Sequence, residues 1–362
     1  MTSVVFAGGG TAGHTSPMIA TAKAVQEVAD ASIVCIGTAK GLETRVVPAA
    51  GLRLELVRPV PLPRTVGLEM VKTPFKLVAS TWQARRILKR ERADVLVGFG
   101  GYVSIPAYLA AWLCRVPVVV HEANKLAGIS NKVGARFARF VAITFRETRL
   151  RGGRMVGLPM ARSITHPRVG AAEARAHFGL DEDRLTLLVS GGSQGALALN
   201  QAALDAREAL LASGIQILHA IGPKNFSDTD IVVQHPSGAR YVPVEFVEDM
   251  AVAYAAADLM LGRAGAGTVI ETAVSGVPVI FVPLPWGNGE QGRNAVELVA
   301  AGGGVLIPEA DLDAARLIAT VTGLVTEEGA LERMATICRG MYPADAADTL
   351  ARVVLDLAEG RK

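Results

Sequence analysis

Near the start of the chain a histidine follows a glycine turn. In VVFAGGGTAGHTSPMIATAKAV, Gly8, Gly10 and Gly13 spell G-x-G-x-x-G between an apolar strand and an apolar helix, and His14 comes next. The letter pattern suits a dinucleotide, but such a turn also needs an acidic residue about 20 positions on to hold the ribose. The second apolar run ends in Cys35-Ile36-Gly37-Thr38, with no carboxylate until Glu43, which weighs against a nicotinamide or flavin cofactor. His14 then has another use. Close to the glycine loop, its neutral imidazole can serve as a general base near pH 7; the plainer reading is a helix-start histidine bonded to backbone.

Three further stretches carry chemistry. GFGGYVSIPAYLAAWLCRVPVVVHEANKLAGISNK ends one strand at Gly100-Gly101 and the next at His121, Glu122 and Asn124; polar residues after VPVVV are costly in a core and cheap in a cleft. SGGSQGALALN sets Ser193, Gln194 and Gly195 at a helix start, where unpaired N–H groups suit a diphosphate. It lacks the Walker lysine of an ATP-hydrolysing loop. GRAGAGTVIETAVSG places Glu271 one turn into a helix that begins between Gly265 and Thr268. There a carboxylate can accept both ribose hydroxyls, or simply complement the helix dipole. The pairs Asp181/Asp183, Asp228/Asp230 and Asp311/Asp313 fall in turns before elements and read as solvated caps, so no metal is expected.

These loops need strands before them and helices after them. Glycine-ended runs recur as SVVFAGGG, ASIVCIG, ADVLVGFGG, LTLLVSGG, GIQILHAIG and ADLMLGRAGAG, each followed by a helical pattern, so the connections are βα crossovers and the sheets parallel. A chain of 362 residues exceeds one compact core. Its rhythm breaks in GLPMARSITHPRVGAAEARAHFGLDEDR, which puts a boundary near residue 163. The expectation is two Rossmann-like domains whose glycine loops face one cleft. The last segment, PADAADTLARVVLDLAEG, is an amphipathic helix that could pack on either.

A formal charge of +3 gives no global field for nucleic acid. Cys35, Cys114 and Cys338 lack metal or redox spacing and read as buried thiols of a reduced compartment. No secretory signal precedes the first strand and no run is long enough to span a bilayer, so a cytosolic protein is expected. From Arg64 to Arg92 eight basic and two acidic residues surround Phe75, Leu77, Val78 and Trp82. With Arg85, Arg86 and Lys89 this is either a membrane-surface helix for anionic lipid or an ordinary helix with its apolar face on a sheet.

Together the blocks GGGTAGHTSP, GGYVSIPAYLAAW, HEANKLAGISNK, SGGSQGALALNQA, EFVEDMAVAYAAAD and GRAGAGTVIE resemble the MurG family, the UDP-N-acetylglucosamine transferases that convert lipid I to lipid II in peptidoglycan synthesis. The resemblance runs from about residue 3 to residue 345 and keeps block order and spacing. It implies the α/β GT-B fold: two Rossmann-like doubly wound parallel-sheet domains with an interdomain cleft, an acceptor and membrane-facing domain of 1–163 plus 343–362 and a UDP-GlcNAc domain of 164–342. It places Ser193 near the diphosphate, the Val247 backbone at the uracil, Gly267, Thr268, Val269, Ile270 and Thr272 around phosphate and ribose, Glu271 on the ribose hydroxyls and Gln291 toward the sugar. Thr11, Ala12, Gly13 and Asn124 come from the opposite wall. The acceptor is an undecaprenyl diphosphate bearing MurNAc-pentapeptide, whose diphosphate meets the N-terminal glycine loops and whose lipid implies peripheral attachment to the cytoplasmic face of the plasma membrane. Two features depart from the family. Its G-x-P-x-R pattern becomes Gly157-Leu158-Pro159-Met160-Ala161-Arg162, shifting Arg162 by one position, and its paired glutamines become Glu290-Gln291.

The implied reaction is an inverting transfer of GlcNAc to the MurNAc 4-hydroxyl, independent of metal and cofactor. His14 is the base, with His121 and Glu122 in reserve; the Ser193 helix start and Arg162 stabilise departing UDP. The alternatives are a UDP-GlcNAc 2-epimerase or another GT-B glycosyltransferase and, in a different class, a dinucleotide-dependent oxidoreductase.

Overall fold

The computed structural model describes residues 2–60, 68–286 and 289–360. The chain divides into two compact units, Met1–Ala161 with Pro343–Lys362, and Arg162–Tyr342.

In the first unit β1 (Thr2–Gly8), β2 (Ala31–Gly37), β3 (Arg53–Leu56), β4 (Val95–Gly100), β5 (Val118–Glu122), β6 (Phe140–Ile143) and β7 (Gly153–Met155) form one sheet in the order β3-β2-β1-β4-β5-β6-β7. Its pairings are parallel. A parallel sheet is covered on both faces, which is why β1 and β4 are nearly continuous apolar runs. Alternation of side chains then sorts residues between two cores. Val4 and Phe6 pack with Met18 and Val25 of α1 (Ala12–Val28) and with Leu350 and Val354 of the C-terminal helix Ala346–Ala358. Val5 and Ala7 pack on the other face with Ala84 and Leu88 of α3 (Leu68–Arg90) and Ala107 and Ala111 of α4 (Ser104–Cys114). The short α2 (Glu43–Ala49) bridges β2 and β3.

In the second unit β8 (Thr186–Ser190), β9 (Gln216–Ala220), β10 (Val233–Gln234), β11 (Arg240–Val244), β12 (Leu259–Gly262), β13 (Val279–Phe281) and β14 (Gly304–Leu306) take the order β10-β11-β9-β8-β12-β13-β14. Here the expectation of wholly parallel sheets needs one correction: β10 pairs antiparallel with β11. The chain returns directly through a turn in which His235 N–H donates to the Ala239 carbonyl at 2.9 Å, and a direct return permits only antiparallel pairing.

Strand order reverses between β1 and β4 in one sheet and between β8 and β12 in the other. At such a reversal the following helices leave on opposite faces and a crevice opens beyond the strand ends. The strands that meet there end at Gly8 and Gly100, and at Ser190 and Gly262. Of the thiols, Cys35 and Cys338 are buried and Cys114 is partly exposed.

The C-terminal helix follows the second unit in sequence yet supplies core to the first. Leu350 is fully buried there, so Leu350→Ala should cost about 2 to 5 kcal/mol, the range for emptying a leucine site. Urea unfolding of wild type and variant measures it; a cost below about 1 kcal/mol would show that the helix is dispensable to this core.

Candidate active site

At the first reversal the turn Gly8–Thr11 leads into α1, with His14 in the first turn. Its Nδ1 lies 3.1 Å from the Gly9 carbonyl and 3.2 Å from Thr11 Oγ1. A carbonyl only accepts, so Nδ1 carries the proton in the neutral ring and Nε2 keeps a lone pair. That edge faces Gly100, where an added Cβ would stand 3.1 Å from Nε2. Gly101, at φ +84, lies against the Gly9 carbonyl, and a Cβ there would meet that oxygen. Only glycine allows the two loops this approach. Desolvation lowers the His14 pKa, opposed by the charge of Glu122, the Gly9 carbonyl and the charge of Glu43. The ring is therefore neutral at pH 7, as a base requires.

His121 and Glu122 end β5 on the adjacent strand, but the structure gives them work inside. His121 is fully buried, with Nε2 2.9 Å from the Gly157 carbonyl and its ring beside Phe99; burial lowers its pKa to about 4. Glu122, 2% exposed, accepts from Asn124 N–H, Gly128 N–H and Asn131 Nδ2, each at 2.9 Å. Tyr108 Oη in turn donates to Asn131 Oδ1 at 2.8 Å. This network fixes the loop carrying Asn124, whose own carbonyl accepts from Thr148 Oγ1. Thr11, Ala12 and Gly13 form the rim beside His14, with Thr11 and Gly13 exposed.

At the second reversal Ser193 does not stand at the helix start that the sequence suggests. The helix spans Leu197–Ala212, and Ser193 sits in a preceding turn closed by Gly195 N–H donating to the Gly192 carbonyl at 2.9 Å. Gly192 and Gly195 both have positive φ, which delays the helix by one tight turn. Behind the turn, Asn200 Nδ2 donates to the Ile221 carbonyl at 2.9 Å, and its Oδ1 lies 3.1 Å from His219 Nε2, whose Nδ1 is 3.0 Å from Tyr241 Oη.

The helix Ala266–Ser275 follows β12 with no acidic residue in its first turn. Gly267 and Thr268 are partly exposed, whereas Val269, Ile270 and Thr272 are fully buried. Side chains of the last three thus point into the core, and Thr272 Oγ1 donates to the Thr268 carbonyl. Glu271 is partly exposed. Its Oε2 accepts from Tyr254 Oη at 3.0 Å, a partner that the apolar stretch AVAYAAAD gave no reason to single out. Burial raises the Glu271 pKa to about 7 against the lowering effect of that bond. Val247 is buried before the helix Met250–Ala256. Gln291 begins the second position of the helix Glu290–Ala300, and its Oε1 accepts from Leu284 N–H at 3.1 Å. Arg162 opens the four-residue helix Arg162–Thr165 and is exposed.

In the first unit, α3 carries two apolar faces. Ala84, Ile87 and Leu88 are buried, while Phe75, Val78 and Trp82 are 76%, 70% and 52% exposed. Arg85 lies over the Trp82 ring at 4.5 Å, Arg86 and Lys89 are exposed, and Leu77 is partly turned in. The start of this basic stretch, Arg64 to Gly67, lies outside the described residues. No described helix is long and apolar enough to cross a membrane. Of the aspartates, Asp313 caps a helix, its Oδ1 accepting from Arg316 N–H, while Asp181 Oδ1 accepts from Asp183 N–H and Asp230 Oδ2 from Ser227 N–H within turns.

Comparison with known proteins matches both units. The glycosyltransferase family 28 N-terminal domain matches residues 4–143, and the family 28 C-terminal domain residues 186–350. A UDP-N-acetylglucosamine–N-acetylmuramyl-(pentapeptide) pyrophosphoryl-undecaprenol N-acetylglucosamine transferase of Cutibacterium acnes is 52% identical, covering 99% of this chain and 98% of that protein. Its namesake from a Nocardioides species is 50% identical, covering 99% and 98%. The crystal structure of Acinetobacter baumannii MurG superposes with a TM-score of 0.78 at 28% identity, covering 98% of this chain and 100% of that one.

The raised Glu271 pKa has a consequence for stability. Between the ordinary carboxylate value of 4.5 and about 7 the folded chain binds the extra proton, so this group's contribution falls as pH rises through that window. Glu271→Gln removes the penalty. Relative to wild type its stability should rise between pH 5 and pH 8 by about 1 to 3 kcal/mol. Thermal unfolding at the two pH values measures the difference; a difference independent of pH would place the Glu271 titration elsewhere.

Proposed function

This chain belongs to glycosyltransferase family 28 and to its MurG transferases, and on that footing we propose how its residues divide the reaction. It is an N-acetylglucosaminyltransferase of GT-B fold that transfers GlcNAc from UDP-GlcNAc to lipid I, forming lipid II for peptidoglycan synthesis.

The second unit takes the donor. Its turn at Ser193 and the helix start at Gly267 and Thr268 offer backbone N–H groups to the diphosphate, and neither helix has an acidic residue in its first turn to compete. Val269, Ile270 and Thr272 contribute through backbone, since their side chains are buried. Glu271 accepts from the ribose hydroxyls while Tyr254 holds its other oxygen. Val247 meets the uracil, Gln291 the sugar, and Arg162 the developing charge on UDP.

The first unit takes the acceptor and supplies the base. His14 Nε2 removes the proton of the MurNAc 4-hydroxyl, whose oxygen attacks C1 of GlcNAc. The bond from C1 to the diphosphate oxygen breaks and UDP leaves with the electron pair, inverting the anomeric centre. Asn124 and the Thr11–Gly13 rim position the acceptor. The single observation that carries this assignment is the His14 ring, with Nδ1 committed to Gly9 and its Nε2 edge toward Gly100. His121 and Glu122 already have backbone partners and support the loop instead.

His14→Ala should lower kcat by about 10² to 10⁴, the usual contribution of a general base, and leave UDP affinity unchanged. Radiolabelled UDP-GlcNAc with and without lipid I reads transfer directly. Near-normal turnover would remove His14 from the chemistry, and turnover of UDP-GlcNAc without acceptor would favour an epimerase.

We also propose peripheral binding to anionic membrane at the cytoplasmic face through Phe75, Val78 and Trp82, flanked by Arg85, Arg86 and Lys89. Leu77 serves less, being partly turned in. Trp82→Glu should weaken partition to phosphatidylglycerol vesicles at least tenfold, the scale of about 1.5 to 3 kcal/mol for one large apolar side chain. Sedimentation with vesicles tests it; equal binding of both proteins would move the contact to another surface.

A further inference from the structure

Glu43 is the first carboxylate after β2, past the strand end where dinucleotide chemistry would need one. Here it turns inward. It is the first residue of α2 and is fully buried. One oxygen, Oε2, accepts from Gly10 N–H at 2.9 Å; the other, Oε1, accepts from Thr38 N–H at 2.8 Å and from Thr38 Oγ1 at 2.9 Å. The carboxyl lies so close beneath the turn that a Cβ on Gly9 would stand 2.5 Å from Oε1. Burial alone would raise its pKa, but hydrogen bonds from Gly10 and Thr38 outweigh burial and hold it below the ordinary value. Glu43 is therefore an internal anion at neutral pH.

In a dinucleotide turn the glycine N–H groups point at the ligand's pyrophosphate. In this chain the N–H of Gly10 points at Glu43. The other edge of that same peptide unit presents the Gly9 carbonyl, which accepts the proton on His14 Nδ1. One rigid path thus runs from Glu43 through Gly10 and Gly9 to His14. A second anion at the same turn would meet the carboxylate's charge.

We propose that Glu43 is a positioning residue for the glycosyl transfer: it fills the anion seat of the N-terminal glycine turn from within and fixes the Gly9 carbonyl that sets the tautomer and direction of His14. The inference rests on His14 being the base. Two charged groups face His14, Glu122 at the end of β5 and Glu43 at the head of α2, and both favour its protonated form. Losing the Glu43 charge therefore moves the acidic limb of the rate profile to lower pH.

The test is a double-mutant cycle on the full chain with Glu43→Gln, His14→Ala and the pair, reading kcat on lipid I, its pH profile and UDP affinity. An amide oxygen cannot serve both donor groups as the carboxylate does. Glu43→Gln should lower kcat roughly tenfold, as a modest misplacement of a catalytic group does. UDP affinity should stay unchanged and the acidic limb should move down in pH. In the His14→Ala background it should have no further effect, because residues acting through one another are not additive. The same fold loss on both backgrounds, or no loss in wild type, overturns the positioning role. Near-normal turnover of His14→Ala overturns the base assignment itself, a separate result. Where Glu43→Gln fails to fold, Thr38→Val removes one hydroxyl donor and keeps the charge. A loss of about twofold to fivefold confined to the wild-type background supports the inference, and an equal loss on both overturns it.

Discussion

A parallel strand that stops in a glycine turn leaves backbone N–H groups facing one rim, and each unit is organised by what satisfies them. In the first unit the answer is internal. Glu43 and Glu122 are buried carboxylates, each accepting three hydrogen bonds, Glu43 from Gly10 and Thr38, and Glu122 from Asn124, Gly128 and Asn131. Such charges are tolerable only because their donors are complete, and completeness makes the loops stiff. In the second unit the turn at Ser193 and the helix start at Ala266 carry no such carboxylate. The same supersecondary unit thus holds a buried carboxylate in one half and, in the proposed reaction, takes a phosphate in the other.

Stiffness matters because a base is useful only in one tautomer and one direction. The Gly9 carbonyl sets the tautomer of His14, and Gly101 packs on that carbonyl from the neighbouring loop. His121, one strand over, is held neutral by burial alone and is spent on the Gly157 carbonyl. Two histidines that look alike in a sequence are separated by which side of the strand end they face.

The architecture was legible because its signals are local. Glycine-ended apolar runs followed by helical patterns point to two doubly wound parallel sheets, whereas short strands such as β3, β7, β10 and β14 hold too few residues to show periodicity. The site was legible in residue type and less so in direction. His121 and Glu122 follow an apolar run, as rim residues do, yet a buried polar residue with complete hydrogen bonds reads identically. The letter pattern puts Ser193 at a helix start, yet the helix begins at Leu197, since positive φ at Gly195 does not appear in such a pattern. The partners of Gly10 and Glu271 lie 33 and 17 residues away. Sequence spacing has no means of joining them.

The helix Ala346–Ala358 bears on how the molecule is made. Domains usually fold in the order in which they leave the ribosome. Here Met18, Val25 and Phe6 await Leu350 and Val354, which are translated after the whole second unit. The unit that begins the chain is thus the last to close its core, and while translation continues part of one face of its sheet stays uncovered. Nascent chains of this protein therefore expose apolar surface for the length of a domain's synthesis, the interval in which holding chaperones act.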